Sequence, residues 1–160
     1  MTTALKRIGL GTLAAVIVVQ FVRPERTNPP FDPTKTLDSS MAIPREVLAK
    51  LRTSCYDCHS SETRWPWYSA ITPVNFLLAS DVRRGRGRMN FSEWALMKPG
   101  KMQSRLESMS DMVGHREMPL KTYLFLHPEA RLSDEEIKMI TDWADSAQDS
   151  IAVASAAEVR

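Results

Sequence analysis

The chain has two cysteines, and a histidine follows the second: Cys55-Tyr56-Asp57-Cys58-His59. C-x-x-C-H is the attachment pattern for c-type haem. On a helical turn the two thiols share a face and can reach both vinyl groups of one porphyrin. His59 stands four residues after Cys55, so its imidazole returns to that face and can bind the iron. The expected cofactor is one covalently bound haem c, held by Cys55, Cys58 and His59. Other uses of the pair fit less well. A thioredoxin-like redox pair sits in a βαβ pattern, and no strand-rich segment is visible. A zinc site lacks a second cysteine pair and finds only His115 and His127 as further nitrogen ligands. A disulfide would close a very short loop.

The motif must be delivered and covered by helices. Arg45 to Thr53 is helix-compatible, with Val47, Leu48 and Leu51 apolar, and leads into Cys55. Pro73 starts a second helix with Val74, Leu77, Leu78 and Val82 on one side, running out at Arg84-Gly85-Arg86-Gly87-Arg88. Ser92 begins a short helical piece. In Lys101 to Val113 an apolar stripe runs through Met102, Leu106, Met109 and Val113, and Gly114 suits the position just past the helix end. Ser133-Asp134-Glu135-Glu136 reads as a capping box for a last helix, whose stripe is Ile137, Ile140, Ala144, Ala147 and Ile151, with Trp143 beside it. No alternating strand pattern appears, so the expected class is all-α. The 160 residues are 43 % hydrophobic, enough for one compact domain.

The N-terminus carries an uncharged apolar run, residues 8–22, behind Lys6-Arg7. This is an export signal. The run is shorter than the ~20 residues a spanning helix prefers. Thr2 to Leu5 extend it, and Lys6 and Arg7 can snorkel. No small-x-small cleavage site or lipobox cysteine follows. Residues 1–22 are therefore expected to remain as a single transmembrane signal anchor in contact with membrane lipid. Arg23 to Met41, with Pro24, Pro29, Pro30 and Pro33, reads as a proline-rich linker (23–41) lifting the domain off the membrane. Residues 42–155 then form the haem-binding domain and 156–160 a tail. Basic residues on both sides of the run leave the orientation open. Covalent c-type attachment is made on the export side of the bacterial membrane, which puts the domain in the periplasm.

Of 21 basic and 19 acidic residues, Lys6 and Arg7 precede the body, which leaves 19 of each sign beyond them. A neutral body argues against a nucleic-acid partner. H-E-x-x-H, G-x-S-x-G and Walker patterns are absent, so hydrolytic chemistry has no support.

A haem iron bound by His59 has a sixth position, and what fills it decides function. Met102, Met109 and Met112 lie at helical spacing and read as core. Met118 sits in a Met-Pro loop after Gly114 and before the capped helix. That arrangement is similar to the C-terminal half of class I cytochromes c, where a methionine closes over the haem opposite the histidine. His127, His115 and an open site remain alternatives. Trp65, Trp67 and Tyr68 follow the motif closely and are expected to wall the porphyrin, against ordinary core packing. Arg83, Arg84, Arg86 and Arg88 could pair with propionates, an acidic partner or anionic lipid, against a simple solvated face.

The stretch C-Y-D-C-H-S-x-E-T-R-W-P-W-Y-S-x-I-x-P-V, then D-V-x-x-G-R, N-F-S-E-W and E-M-P-L-x-x-Y-L-x-L-H-P-E-A-R-L-S, resembles the haem-binding domain family over about residues 20 to 147. These are small exported bacterial proteins, often membrane-anchored, with one c-type haem. The resemblance implies thioethers at Cys55 and Cys58, His59 as proximal ligand and Met118 as distal ligand. His127 also falls inside the family-like pattern. The expected function is a membrane-anchored, periplasmic mono-haem cytochrome that passes single electrons to a redox partner protein, or serves a respiratory or photosynthetic membrane complex, and is not an enzyme. A haem sensor or a peroxidase-like protein with an open sixth site is the alternative.

Overall fold

Two apolar stripes make the main packing unit. A computed structural model describes residues 3–158. In it, helix α6 (Pro99–Gly114) packs along α8 (Asp134–Glu158). Leu106, Met109 and Val113 of α6 are buried against Ile140, Trp143, Ala144 and Ala147 of α8. These are the stripes expected from the spacing. The capping box forms as read: the Ser133 amide donates to Glu136 Oε2 at 2.9 Å, and the Glu136 amide donates to Ser133 Oγ at 3.2 Å. Lys50 also reaches Glu136 at 2.8 Å, from α3 (Arg45–Ser54). Trp143 donates its indole N–H to Ala42 O at 3.1 Å and so fixes the chain entering α3 to α8.

The remaining helices are α1 (Thr3–Val19), α2 (Leu37–Ser40), α4 (Tyr56–His59), α5 (Val74–Arg88) and α7 (Lys121–Leu126). Short 3₁₀ turns join them, and no strand occurs among the described residues. The chain is all-α. The expected tail at 156–160 is helical through Glu158, and its last two residues lie outside the described part, as do Met1 and Thr2 of the N-terminal run.

Three expectations meet a different picture among the described residues. No helix among the described residues is long and apolar enough to cross a membrane, so the transmembrane helix expected over 1–22 is not found as such. α1 has 17 residues, none of them buried, and loosens into 3₁₀-type bonds at Gln20, Phe21 and Val22. Second, the proline-rich segment is strapped to the domain at residues 26–28 and does not simply lift it off a membrane. Arg26 donates to Ser69 Oγ and Asn28 to Thr63 O, both at 2.9 Å, while Arg86 donates to Thr27 O at 2.9 Å and Asn28 Oδ1 at 2.8 Å. Third, α5 buries Asn75, Ala79, Val82 and Gly85, whereas Leu77 stays 65 % exposed. The helix also continues through Gly85 and Gly87 to Arg88.

The stop of α6 differs from expectation in one instructive way. Gly114 is still helical, and the left-handed residue is Arg116, at φ 57°. Glu117 N–H bonds Met112 O at 2.8 Å and Arg116 N–H bonds Val113 O at 3.0 Å, the paired bonds of a Schellman cap. A non-glycine residue in this conformation costs roughly 1–2 kcal/mol. Arg116 also pairs with Asp134, but both side chains are largely exposed and such pairs contribute at most about 1 kcal/mol. Arg116→Gly is therefore expected to raise stability by about 0.5–1 kcal/mol, seen as a higher urea midpoint. A lower midpoint would show that the ion pair outweighs the strain.

Candidate functional site

Cys55 closes α3 and opens α4, so the motif sits on a helix-to-helix corner. His59 N–H bonds Cys55 O at 2.9 Å, which completes the turn that returns the imidazole to the cysteines. Cys55, Cys58 and His59 all line one cavity of about 530 Å³. That volume is in the range of cofactor pockets. Met118 lines the same cavity, together with Met109 and Met112 of α6. The Schellman turn carries the chain there: Met118 N–H still bonds Met112 O, at 3.1 Å.

The histidine is prepared as a ligand. Its Nδ1 lies 3.1 Å from the carbonyl of Met89, which can only accept. The proton is thereby assigned to Nδ1, and Nε2 keeps its lone pair. Burial lowers the pKa of His59 below its usual value, which favours this neutral form. The two thiols are free, and burial pushes both up to about 12. Burial thus works against the activated thiolate of a dithiol oxidoreductase. No cluster of three or more His, Cys, Asp or Glu suited to a metal ion occurs among the described residues, which leaves a zinc site without support.

Two further features fit a large dianionic prosthetic group. Arg105 lines the cavity, and its Nε is buried with no hydrogen-bond partner. An unpaired buried guanidinium nitrogen is costly, and a carboxylate in the cavity would satisfy it. Arg88 and Arg84 line the cavity as well, the latter held by Asp81 at 2.6 Å. The arginine cluster thus divides: Arg84 and Arg88 face the cavity, Arg83 is exposed, and Arg86 is structural, binding Ser60 O and Thr63 Oγ1 at 2.8 Å besides the strap.

The second residue between the cysteines anchors the corner. Asp57 accepts from the Arg64 backbone amide and Nε at 3.1 Å, from Arg64 Nη2 at 3.0 Å and from Tyr123 Oη at 3.0 Å. Tyr123 itself lines the cavity. Gly85 of α5 lies against the same corner: a Cβ there would meet Cys58 O at 2.4 Å. Sequence reasoning missed Arg105, Tyr123, Gly85 and the Met89 carbonyl. Gly85 carried a usable signal, a glycine inside a helical pattern, which marks close approach, and Tyr123 lay inside the family-like stretch.

The three aromatics expected to wall the porphyrin do not line this cavity. Trp67 is 78 % exposed and sits edge-on to Tyr68. Trp65 is partly buried elsewhere, and its indole N–H has no partner. Tyr68 Oη lies 2.6 Å from His127 Nε2. The reason is local: Pro66 leads the chain into a 3₁₀ turn, Trp67–Ala70, whose Ser69 is tied to the strap. His127 has both nitrogens engaged, since Nδ1 lies 3.0 Å from Glu129 Oε1, and Tyr123 stacks on its ring at 4.2 Å. His115 is exposed, with Nδ1 on Asp111 O at 2.8 Å. Neither histidine lines the cavity; Met118 does.

A family model described as the haem-binding domain matches residues 14–146. No curated protein and no solved structure matches the chain.

Proposed function

Because the chain belongs to the haem-binding domain family, and is therefore a haem protein, we propose that it is a mono-haem c-type cytochrome whose residues keep the iron six-coordinate for single-electron transfer. Cys55 and Cys58 would attach the haem through thioethers, and His59 Nε2 and Met118 would hold its iron. Haem bound in this way supplies reversible one-electron exchange, at a potential that thioether sulfur raises relative to a second histidine. The chain's residues do the rest. The Met89 carbonyl orients His59, Arg105 and Arg88 receive carboxylates, and the apolar methionine wall keeps water from the iron. The observation that carries the reading is the shared cavity, with an oriented imidazole and a methionine both on its lining while the other two histidines lie off it.

The protein works in an exported compartment, where α1 holds it to the membrane and a redox protein or membrane complex meets it through a small transient interface. The experiment is a spectrum of the reduced, purified protein with and without carbon monoxide, and, on a separate sample, acid–acetone extraction to test covalent attachment. Haem retained by the protein and no carbon monoxide complex are expected. Rapid stoichiometric binding would reject six-coordination in favour of a sensor or peroxidase-like role. Extractable haem would reject the thioethers.

A further inference from the structure

Gln20, just past the end of α1, is fastened to Thr72, just ahead of α5. The Gln20 amide pairs with the Thr72 backbone in both directions: Gln20 Nε2 donates to Thr72 O at 3.3 Å, and Thr72 N–H donates to Gln20 Oε1 at 3.0 Å. Thr72 Oγ1 accepts from Asn75, a fully buried side chain of α5, at 3.0 Å. The junction is thus rooted in the domain that carries the cysteines. Close to it along the chain, large apolar side chains stay exposed in whole or in part: Phe21 at 80 % exposure, Leu77 at 65 %, and Val22, Ile71, Val74 and Phe76 less so. They follow the end of α1 or flank Thr72 along the chain. α5 buries a different stripe, so Phe76 and Leu77 are left over from core packing. Contiguous exposure of this kind marks an interaction surface.

We propose that this junction is a lipid-seating surface, which holds the haem domain flat on the bilayer in one orientation. The inference rests on the reading that α1 inserts in a membrane. The seat explains how a helix too short for the task could do so. Seventeen residues give roughly 26 Å of helix, against a hydrocarbon core of about 30 Å. Sinking Phe21, Val22, Ile71, Phe76 and Leu77 into the acyl–headgroup boundary makes up the difference. Arg23, exposed immediately after the junction, then reaches the phosphates. Lipid is favoured over a protein partner because the surface continues an apolar helix that is bare on every side.

The test uses the full haem-loaded chain in planar phosphatidylcholine bilayers. Carbonate washing reads insertion, and polarised absorption of the haem band reads orientation. A seated domain gives retained haem with a dichroic ratio away from the isotropic value. The Phe76→Ser/Leu77→Ser variant stays bound, keeps its solution spectrum and falls to the isotropic ratio. Haem lost in carbonate would overturn insertion and the seat with it. Retained haem with isotropic wild-type absorption would overturn the seat alone. Unchanged dichroism in the double variant would overturn the part assigned to these residues.

Discussion

If Cys55 and Cys58 attach the haem as proposed, Gly85→Ala is expected to lose most of it and to melt below the wild type. Gly85 is buried where α5 crosses α4, and a Cβ would stand 2.4 Å from Cys58 O and 3.0 Å from the Cys58 carbonyl carbon. Those are backbone atoms inside the attachment motif, with no flexible side chain to swing away. The helices must separate or the Cys58 peptide must move. Overpacking of this kind costs about 1–3 kcal/mol, against the ~1 kcal/mol that alanine gains over glycine in a helix. The larger effect falls on the cofactor, because Cys58 and His59 move with that peptide. Gly87 is the matched control. Its Cβ would meet nothing within 4 Å, so Gly87→Ala is expected to raise stability by up to about 1 kcal/mol. Haem per protein and the melting temperature of both variants check this. A Gly85→Ala protein with full haem and an unchanged melting point would show that α4 and α5 open without cost.

What could be read in the sequence divides along the range of the interaction. The stripes of α6 and α8 and the capping box were legible because they are periodic or local. The C-x-x-C-H corner was legible because its chemistry fixes its spacing. The face of α5 was not. Leu77 reads as core by type, yet Asn75 takes the buried place, since its amide bonds Thr72 and the Phe76 amide at the helix start. The strap was hidden for a related reason. Prolines announce an extended segment, but the Arg86 side chain that pins it comes about sixty residues later. The aromatics near the motif misled because nearness in sequence stood in for a cavity wall. Beside the motif itself, that wall is built from α5, α6, the loop after α6 and Tyr123 of α7, all more distant along the chain than the aromatics. His127 reads as a possible ligand in the sequence, but Tyr68, far from it along the chain, and Glu129, unmarked there, engage both its nitrogens.

Met118→Ala is expected to convert the haem site more completely than any other change outside the C-x-x-C-H motif. Met118 is half-buried, packs against the core cluster and lines the cavity that holds His59. Truncation removes the thioether and leaves the surrounding Met109, Met112 and Leu120 in place. Stability is expected to fall by about 2 kcal/mol or less, at the low end for methionine truncation because the side chain is not fully enclosed. The spectroscopic loss is larger. The far-red sulfur–iron band of the oxidised protein disappears and the reduced protein gains carbon monoxide binding. The potential drops by on the order of 100 mV or more, within the roughly 0.8 V that axial ligands span. Met109 and Met112 also line the cavity, so Met109→Ala and Met112→Ala are the controls that matter. Each is expected to keep the band, as is His127→Ala, whose ring is held by Tyr68 and Glu129 away from the cavity. Loss of the band in Met112→Ala with its survival in Met118→Ala would move the distal ligand onto α6 and make the loop a mere cover. Survival of a six-coordinate spectrum in every methionine variant would instead require one of the two remaining histidines to leave its present partners and reach the iron.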